Sequence, residues 1–149
     1  MAQALHWFRF SEFYAEVRRV SKPGALFAAL VYHKMKDISP SLRSVLRELD
    51  SNKIGSCWPE GRRHVEEDYR SIPFPFEKVT APQFSLIKQW DLTRTFGYAQ
   101  SWSAVARFKA ATGIDPIEEH LPRFQEAWGD PAAKRVIEWP LTILAGFVS

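Results

Sequence analysis

The 149-residue sequence contains one cysteine, Cys57. It contains seven glycines, but no two of them are two positions apart, so no Gly-x-Gly pattern occurs. A single cysteine cannot form a disulfide within the chain, and small secreted domains usually contain several. The missing Gly-x-Gly pattern excludes the usual glycine-rich loop that lets a backbone approach a bound nucleotide closely. These absences predict a cytoplasmic protein with neither a disulfide framework nor such a loop within these residues.

Long apolar runs and an excess of one charge are also missing. No stretch of about 18 apolar residues occurs, so we predict no membrane-spanning helix, and the charged Arg9 and Glu12 argue against a signal peptide. The 20 Lys and Arg residues against 17 Asp and Glu leave a net charge of +3, which does not favour nucleic-acid binding. The four histidines lack the spacing of zinc ligands, so we expect no metal.

The first third of the chain has clear apolar patterns. With 46% hydrophobic residues, residues 1–149 can build the core of one domain. Apolar residues recur at helical spacing from Phe10 to Val20. Residues 25–32 form a continuous apolar run, which is typical of a strand buried on both faces, as in a parallel sheet. Ser39 precedes a leucine stripe that ends at Leu49, which predicts a capped helix.

The remainder of the chain alternates loops, helices and strands. Residues 51–62 contain two glycines and a proline and predict a loop. We expect Pro122 to kink or break a helix, and Pro140 to place the last strand at a sheet edge or a bulge. The other predicted elements are a short helix at 64–69, an extended connector at 73–76, a strand at 83–92, one or two helices at 93–111, a helix at 115–128 and a strand at 135–148.

This order of elements is α/β, and several segments carry a family resemblance. Residues 2–8 (AQALHWF), 13–20 (FYAEVRRV) and 22–24 (KPG) resemble the end of the fourth strand, the next helix and the turn into the fifth strand of class I S-adenosylmethionine-dependent methyltransferases. Later segments are similar, in the same order, to the tail of the methyltransferase type 11 group that includes trans-aconitate methyltransferase-like enzymes. These segments are 54–59, 62–65, 69–70, 73–76, 101–104, 128–130 and 139–141.

The resemblance implies the C-terminal portion of a doubly wound, Rossmann-like methyltransferase fold that lacks the N-terminal cofactor-binding strands. Residues 1–50 would be the end of the fourth strand, a helix, the fifth strand and a helix. Residues 51–149 would be a substrate-side insertion and the final strands. The whole chain would then be a single truncated domain.

The resemblance also implies site residues. Ala4, His6 and Trp7 would lie beside the methionine part of S-adenosylmethionine. The resemblance also implies that His6-Trp7 follows the fourth strand, and Tyr32 ends the apolar run at 25–32; ligands of open α/β folds collect at the carboxyl ends of strands. The predicted substrate pocket is lined by His6, Trp7, Tyr32, Tyr98 and Trp102.

Each of these residues also has a structural alternative. Trp7 could pack against the next helix, Tyr32 could be an ordinary residue at a strand end, and Tyr98 and Trp102 could be core residues of a helix. No catalytic residue is assigned.

Two functions follow from these observations. The first is a methyltransferase-like protein that acts on a small-molecule acceptor but is inactive alone, because the glycine-rich cofactor loop is absent and S-adenosylmethionine would bind weakly or not at all. A missing N-terminal half would then come from elsewhere. The alternative is a non-catalytic, truncated or partner-binding remnant that forms a homodimer through an exposed sheet edge.

Overall fold

The computed structural model describes residues 1–32, 35–36 and 38–149, and the chain divides into two compact units. Unit 1 comprises Met1–Lys34, Glu60–Leu86 and Trp139–Ser149, and unit 2 comprises Met35–Pro59 and Ile87–Glu138. The prediction of a single truncated domain over residues 1–149 stays a prediction. None of the helices in the described ranges is long and apolar enough to cross a membrane.

Six α-helices and four β-strands are present in the described part of the chain. In chain order they are α1 (Phe10–Val20), β1 (Leu26–Val31), α2 (Pro40–Arg47), α3 (Arg62–Glu66), β2 (Glu77–Val79), β3 (Phe84–Trp90), α4 (Leu92–Gln100), α5 (Ser103–Thr112), α6 (Pro116–Trp128) and β4 (Arg135–Phe147). Short 3-10 turns occur at Leu5–Trp7 and Gly55–Cys57, and a π-helical turn at Glu48–Lys53. The fold is therefore mixed α/β.

The sheet is antiparallel around β4, which corrects the parallel sheet predicted for residues 25–32. Strand β1 pairs with β4 from Leu26↔Phe147 to Val31↔Thr142, and β2 and β3 also pair with β4. Strand β1 is not buried on both faces either, because Leu26 is 60% exposed while Ala29 and Val31 are buried. The apolar run at residues 25–32 therefore combines side chains buried on one face of β1 with an exposed apolar side chain at the start of the strand.

Other findings concern proline and loop signals. Strand β4 is central in the strand order, and Pro140 lies outside the segments of β4 that pair with β1 and β2, so its missing N–H breaks neither of those ladders; the sheet edge or bulge predicted at Pro140 stays a prediction. Helix α6 continues through Pro122, because buried Ile117, Phe124 and Trp128 anchor it on both sides. The predicted loop at 51–62 instead contains helical turns and the start of α3.

Unit 1 has an aromatic core beneath the sheet. Tyr14 on α1 is 3% exposed and contacts the rings of Phe27 and Phe76 at centroid distances of 6.1 and 5.4 Å. Leu5 and Tyr69 belong to the same buried cluster. The predicted helix over residues 10–20 is confirmed, although Val20 at its end is 63% exposed rather than part of the buried stripe.

Unit 2 is mainly helical. The Oγ atom of Ser39 accepts a hydrogen bond from the Leu42 amide at 3.2 Å, which confirms the predicted cap of α2. The residues buried on α2 are Leu42, Val45 and Leu46. At the end of the π-helical turn that follows, the Ile54 amide donates a hydrogen bond to the Leu49 carbonyl at 3.0 Å. Ile54 is thereby fully buried.

Candidate functional site

The amino-terminal segment lies beside β1 in the parallel direction. The amide of Gln3 donates to the Leu30 carbonyl and the amide of Leu30 donates to the Met1 carbonyl, both at 2.9 Å. The side-chain amide of Gln3 also donates to the carbonyl of Tyr32 at 2.7 Å. Because the carboxyl ends of parallel segments share one edge, the residues that follow this segment and β1 lie at the same edge of the sheet.

Ala4, His6, Trp7 and Tyr32 are thereby brought to one edge within unit 1. Leu5 anchors the turn, since it is fully buried, and Trp7 is 53% exposed, so Trp7 is not a packing residue of the core. Phe8 instead stacks on Phe13 of α1 at 4.7 Å. The roles of these residues in binding stay predictions.

His6 is held from two sides. Its Nδ1 atom lies 3.0 Å from the hydroxyl oxygen of Tyr69, and Tyr69 itself is 2% exposed. A Cβ atom added to Gly61 would lie 2.6 Å from the His6 carbonyl oxygen, so only glycine leaves room for the backbone there. These contacts restrict both the backbone and the ring of His6.

The electrostatic surroundings keep His6 neutral and Tyr69 protonated at neutral pH. Burial lowers the pKa of His6, and the nearby His64 and Arg62 lower it further. Burial raises the pKa of Tyr69, although the backbone amides of His6 and Leu5 act in the opposite direction. The pair is therefore a neutral imidazole next to an intact phenol.

The backbone around this pair is strained. Within the described ranges, the non-glycine residues with positive φ are Gln3 at 51°, Asp68 at 51° and Tyr69 at 59°. The Tyr69 amide donates to the His64 carbonyl at 2.7 Å, which stabilises this geometry. Such conformations cost free energy and cluster at sites where a side chain must point in one direction.

Tyr98 and Trp102 lie in unit 2, in contact with each other. Their ring centroids are 5.8 Å apart, and two further aromatic contacts extend the row, from Trp90 to Tyr98 at 5.8 Å and from Trp58 to Trp102 at 5.9 Å. All four rings are partly exposed. They form a partly exposed aromatic row, and the roles of Tyr98 and Trp102 stay predictions.

Unit 2 also contains a cavity of about 330 Å³. Buried Leu42, Trp128 and Ile137 form part of its wall. The Arg135 guanidinium, also at the wall, lies over the Trp128 ring at 5.1 Å and donates to the Trp128 carbonyl. No group of three His, Cys, Asp or Glu side chains in the described residues is placed to hold a metal ion.

Sequence reasoning missed Tyr69, Gly61 and Gln3. Tyr69 is 63 residues from His6, and neither its spacing nor its neighbours distinguish it from a core tyrosine. Its left-handed backbone cannot be read from residue type, because non-glycine residues rarely adopt it. Gly61 contributed only to the prediction of a loop over residues 51–62.

Comparison with known proteins gives two similarities. A solved structure described as that of a "putative type II methyltransferase" from Anaeromyxobacter dehalogenans superimposes with a TM-score of 0.85, at 39% identity over 99% of this chain and 62% of that chain. A protein of Dictyostelium discoideum named "putative methyltransferase" is 31% identical over 121 residues, which are 80% of this chain and 46% of the relative. No family model matches. The similarities support a methyltransferase family.

The chain spans less than two thirds of the length of either relative. The C-terminal position of the matched segment and the trans-aconitate subgroup stay predictions. Helices α2, α4 and α6 are capped by Ser39, Asp91 and Asp115, and none of the three follows a Gly-x-Gly turn. The roles of Ala4, His6 and Trp7 beside S-adenosylmethionine stay predictions.

Proposed function

We propose that this protein is methyltransferase-like, acts in the cytoplasm on a small-molecule acceptor, and uses S-adenosylmethionine. The observation that carries the proposal is the similarity over 99% of the chain, at 39% identity, to a protein described as a methyltransferase. Identity at that level over a whole chain supports a shared chemistry as well as a shared fold. The acceptor class and the cofactor extend that similarity and are proposals.

The edge residues support this proposal by their placement. His6, Trp7 and Tyr32 follow the amino-terminal segment and β1, which run parallel to each other, and ligands of open α/β folds collect at that end of parallel strands. An exposed indole beside a half-buried imidazole offers both contact area and a polar group. Methyl transfer depends mainly on holding the acceptor in line with the methyl group, so positioning contacts of this kind are the contribution expected of these residues. Roles for Tyr98 and Trp102 in acceptor binding stay a prediction.

We expect the 149 residues alone to bind the cofactor poorly, because they contain no Gly-x-Gly loop. Isothermal titration of the chain with S-adenosylmethionine should give weak binding or none. Micromolar affinity would show that the cofactor site does not need that loop.

Activity is best tested after completing the chain. The part of the A. dehalogenans protein without a counterpart here would be fused to this chain, and both proteins incubated with methyl-labelled S-adenosylmethionine and fractionated small metabolites. We expect label in a small molecule with the fusion and none with the chain alone. A fusion that folds and binds the cofactor but labels no small molecule would refute the proposed acceptor class.

A second candidate is a non-catalytic protein that self-associates through its sheet. Leu26 and Phe147 are paired neighbours in β1 and β4 and are 60% and 45% exposed, which favours an apolar contact at that end. The amino-terminal segment already forms backbone hydrogen bonds with Leu30, so the edge of β1 has fewer unpaired backbone groups than expected. Light scattering distinguishes the outcomes: a homodimer has twice the mass of the 17.2 kDa chain, and a constant monomer mass would exclude it.

A further inference from the structure

Four aromatic side chains of unit 2 form a continuous row, although they come from four different elements. Trp90 ends β3, Tyr98 lies on α4, Trp102 precedes α5, and Trp58 follows the 3-10 turn at Gly55–Cys57. Neighbouring ring centroids are 5.8 to 5.9 Å apart, and each ring is partly exposed. We call these four side chains the aromatic row. Together they offer several ring surfaces to one small ligand.

The junction between α4 and α5 holds two of these rings in place. The Ser101 hydroxyl donates to the Tyr98 carbonyl at 2.6 Å, and the Trp102 amide donates to the Ala99 carbonyl at 3.2 Å. Ala99 before the junction and Ala104 after it are both fully buried. The backbone on each side of the two rings is therefore anchored, as a preorganised binding surface requires.

The angles between the rings decide which shape of ligand fits. A flat ligand stacks on a ring that lies parallel to it, and a slot for such a ligand needs two parallel walls. Neighbours along the aromatic row are inclined at 48°, 87° and 47°, so none of these three pairs forms a slot or one flat platform. Tyr98 and Trp102, at nearly right angles, form a corner instead. A corner of rings fits a compact, rounded group such as an ammonium, which ring faces attract.

A carboxylate next to the aromatic row adds negative potential. The Nε1 atom of Trp58 donates to the Oδ1 atom of Asp50 at 2.8 Å and lies 3.3 Å from the Asp50 carbonyl oxygen. A charge-assisted hydrogen bond of this kind orients the indole and polarises its ring. Tryptophan is also the ring that attracts cations most strongly, and three of the four rings are indoles. Shape and charge therefore both favour a cationic ligand.

We propose that the aromatic row binds the ammonium group of a small organic cation, and that Tyr98 and Trp102 form the corner that holds it. The inference deepens the proposed function by naming an acceptor class, small molecules that carry an ammonium group. It rests on the proposed function only for the ligand's role as acceptor, because binding can be measured without S-adenosylmethionine. Failure to bind the cation is thereby distinguishable from failure to transfer a methyl group.

A pair of probes tests the charge of the ligand. Choline is compared with dimethylbutanol, its neutral isostere with a carbon in place of the nitrogen, by nitrogen-15 NMR of the chain labelled at tryptophan, with indole signals assigned by Trp→Phe variants. We expect choline to shift the Trp102 indole signal, to leave that of buried Trp128 in place, and to bind about fivefold or more tightly than the isostere. No shift with choline, equal affinity for the two probes, or shifts confined to Trp128 would each overturn the proposal.

Substitutions on α5 and just before it then test the ring. Trp102→Leu keeps apolar bulk but removes the ring, and it should weaken choline binding about fivefold or more, whereas Trp102→Phe should retain most of the affinity. Phe108→Leu is the matched control, because the Phe108 ring lies outside the aromatic row and faces the Lys53 Nζ atom at 5.4 Å; it should bind choline like the unmodified chain. Equal affinity of the two Trp102 variants would refute the contact. If Trp102→Leu does not fold, as judged by circular dichroism, the two probes on the unmodified chain still decide.

The last comparisons separate charge, shape and acceptor class. Asp50→Asn keeps an oxygen that can accept from Trp58 but removes the charge, so it should weaken choline binding and leave binding of the isostere unchanged. If naphthol, a flat neutral probe, shifts the Trp102 signal and choline does not, the aromatic row is a site for flat rings and the proposal is wrong. With the fusion protein we expect methyl label in a molecule that carries an ammonium group. Label only in other molecules, while choline still binds, would refute the acceptor class and leave the binding site standing.

Discussion

Unit 1 and unit 2 position their candidate ligand-binding side chains by different means. In unit 1, His6 is bonded to a buried tyrosine whose backbone lies in the left-handed region. In unit 2, Tyr98 and Trp102 contact each other and two further rings, Trp90 and Trp58, that are themselves partly exposed. A hydrogen bond holds a polar group in one direction, whereas ring contacts hold only an apolar surface. We therefore expect unit 1 to contribute polar contacts to a ligand and unit 2 to contribute contact area.

The largest effect is expected from the helical core of unit 2. Leu46 on α2 is buried, so Leu46→Asp would place a carboxylate among apolar side chains and should cost about 4 kcal/mol or more of unfolding free energy. Circular dichroism during heating measures the loss. The control is Ser44→Asp on the exposed side of the same helix, which should leave the melting temperature nearly unchanged; equal melting of both variants would contradict the burial of α2.

Two glycines should respond in opposite directions. Gly61→Ala in unit 1 drives a methyl group to 2.6 Å from the His6 carbonyl oxygen and should cost about 1–3 kcal/mol. Gly97→Ala on α4 in unit 2 meets no atom within 4 Å and should add up to about 1 kcal/mol through helix propensity. Urea unfolding of both variants measures the difference. A neutral Gly61→Ala would mean that the His6 backbone is not tightly held.

A smaller contrast lies within unit 1, between two buried hydroxyls. Burial raises the pKa of Tyr14 to about 12, and its hydroxyl has no hydrogen-bond partner among the described residues, so Tyr14→Phe should be neutral or slightly stabilising. Tyr69→Phe removes the bond to His6 and should cost about 1 kcal/mol. Paired urea titrations check this order, and the reverse order would refute the assigned hydrogen bond.

The smallest effect concerns pH. Because burial, His64 and Arg62 lower the pKa of folded His6 below its ordinary 6.5, the unfolded chain binds more protons in that range. Stability should therefore fall as the pH drops from 6.5 through the lower folded value, and it should gain nothing from His6 at higher pH. In His6→Gln the fall should be shallower when unfolding free energies are measured across that range. An unchanged slope would assign the titration to other groups.

Local patterns were sufficient for many elements. The helix over residues 10–20, the Ser39 cap, the strand near 84–90 and the paired helices α4 and α5 follow from periodicity and capping chemistry, which act over a few residues. Sheet direction did not follow, because an apolar run does not distinguish a parallel strand from an antiparallel one packed on one face. The pairing of β1 with residues more than a hundred positions away decided it.

The same division holds for the site. The apolar run indicated that Tyr32 ends a strand, and the family resemblance, which the comparisons support at the level of a methyltransferase family, implied that His6 and Trp7 follow one. Only the tertiary structure brought Tyr69 to His6 and Gly61 against the His6 backbone, because these contacts join residues more than fifty positions apart. Residue type along the chain encodes which groups are available; the packing of the chain decides which of them come into contact.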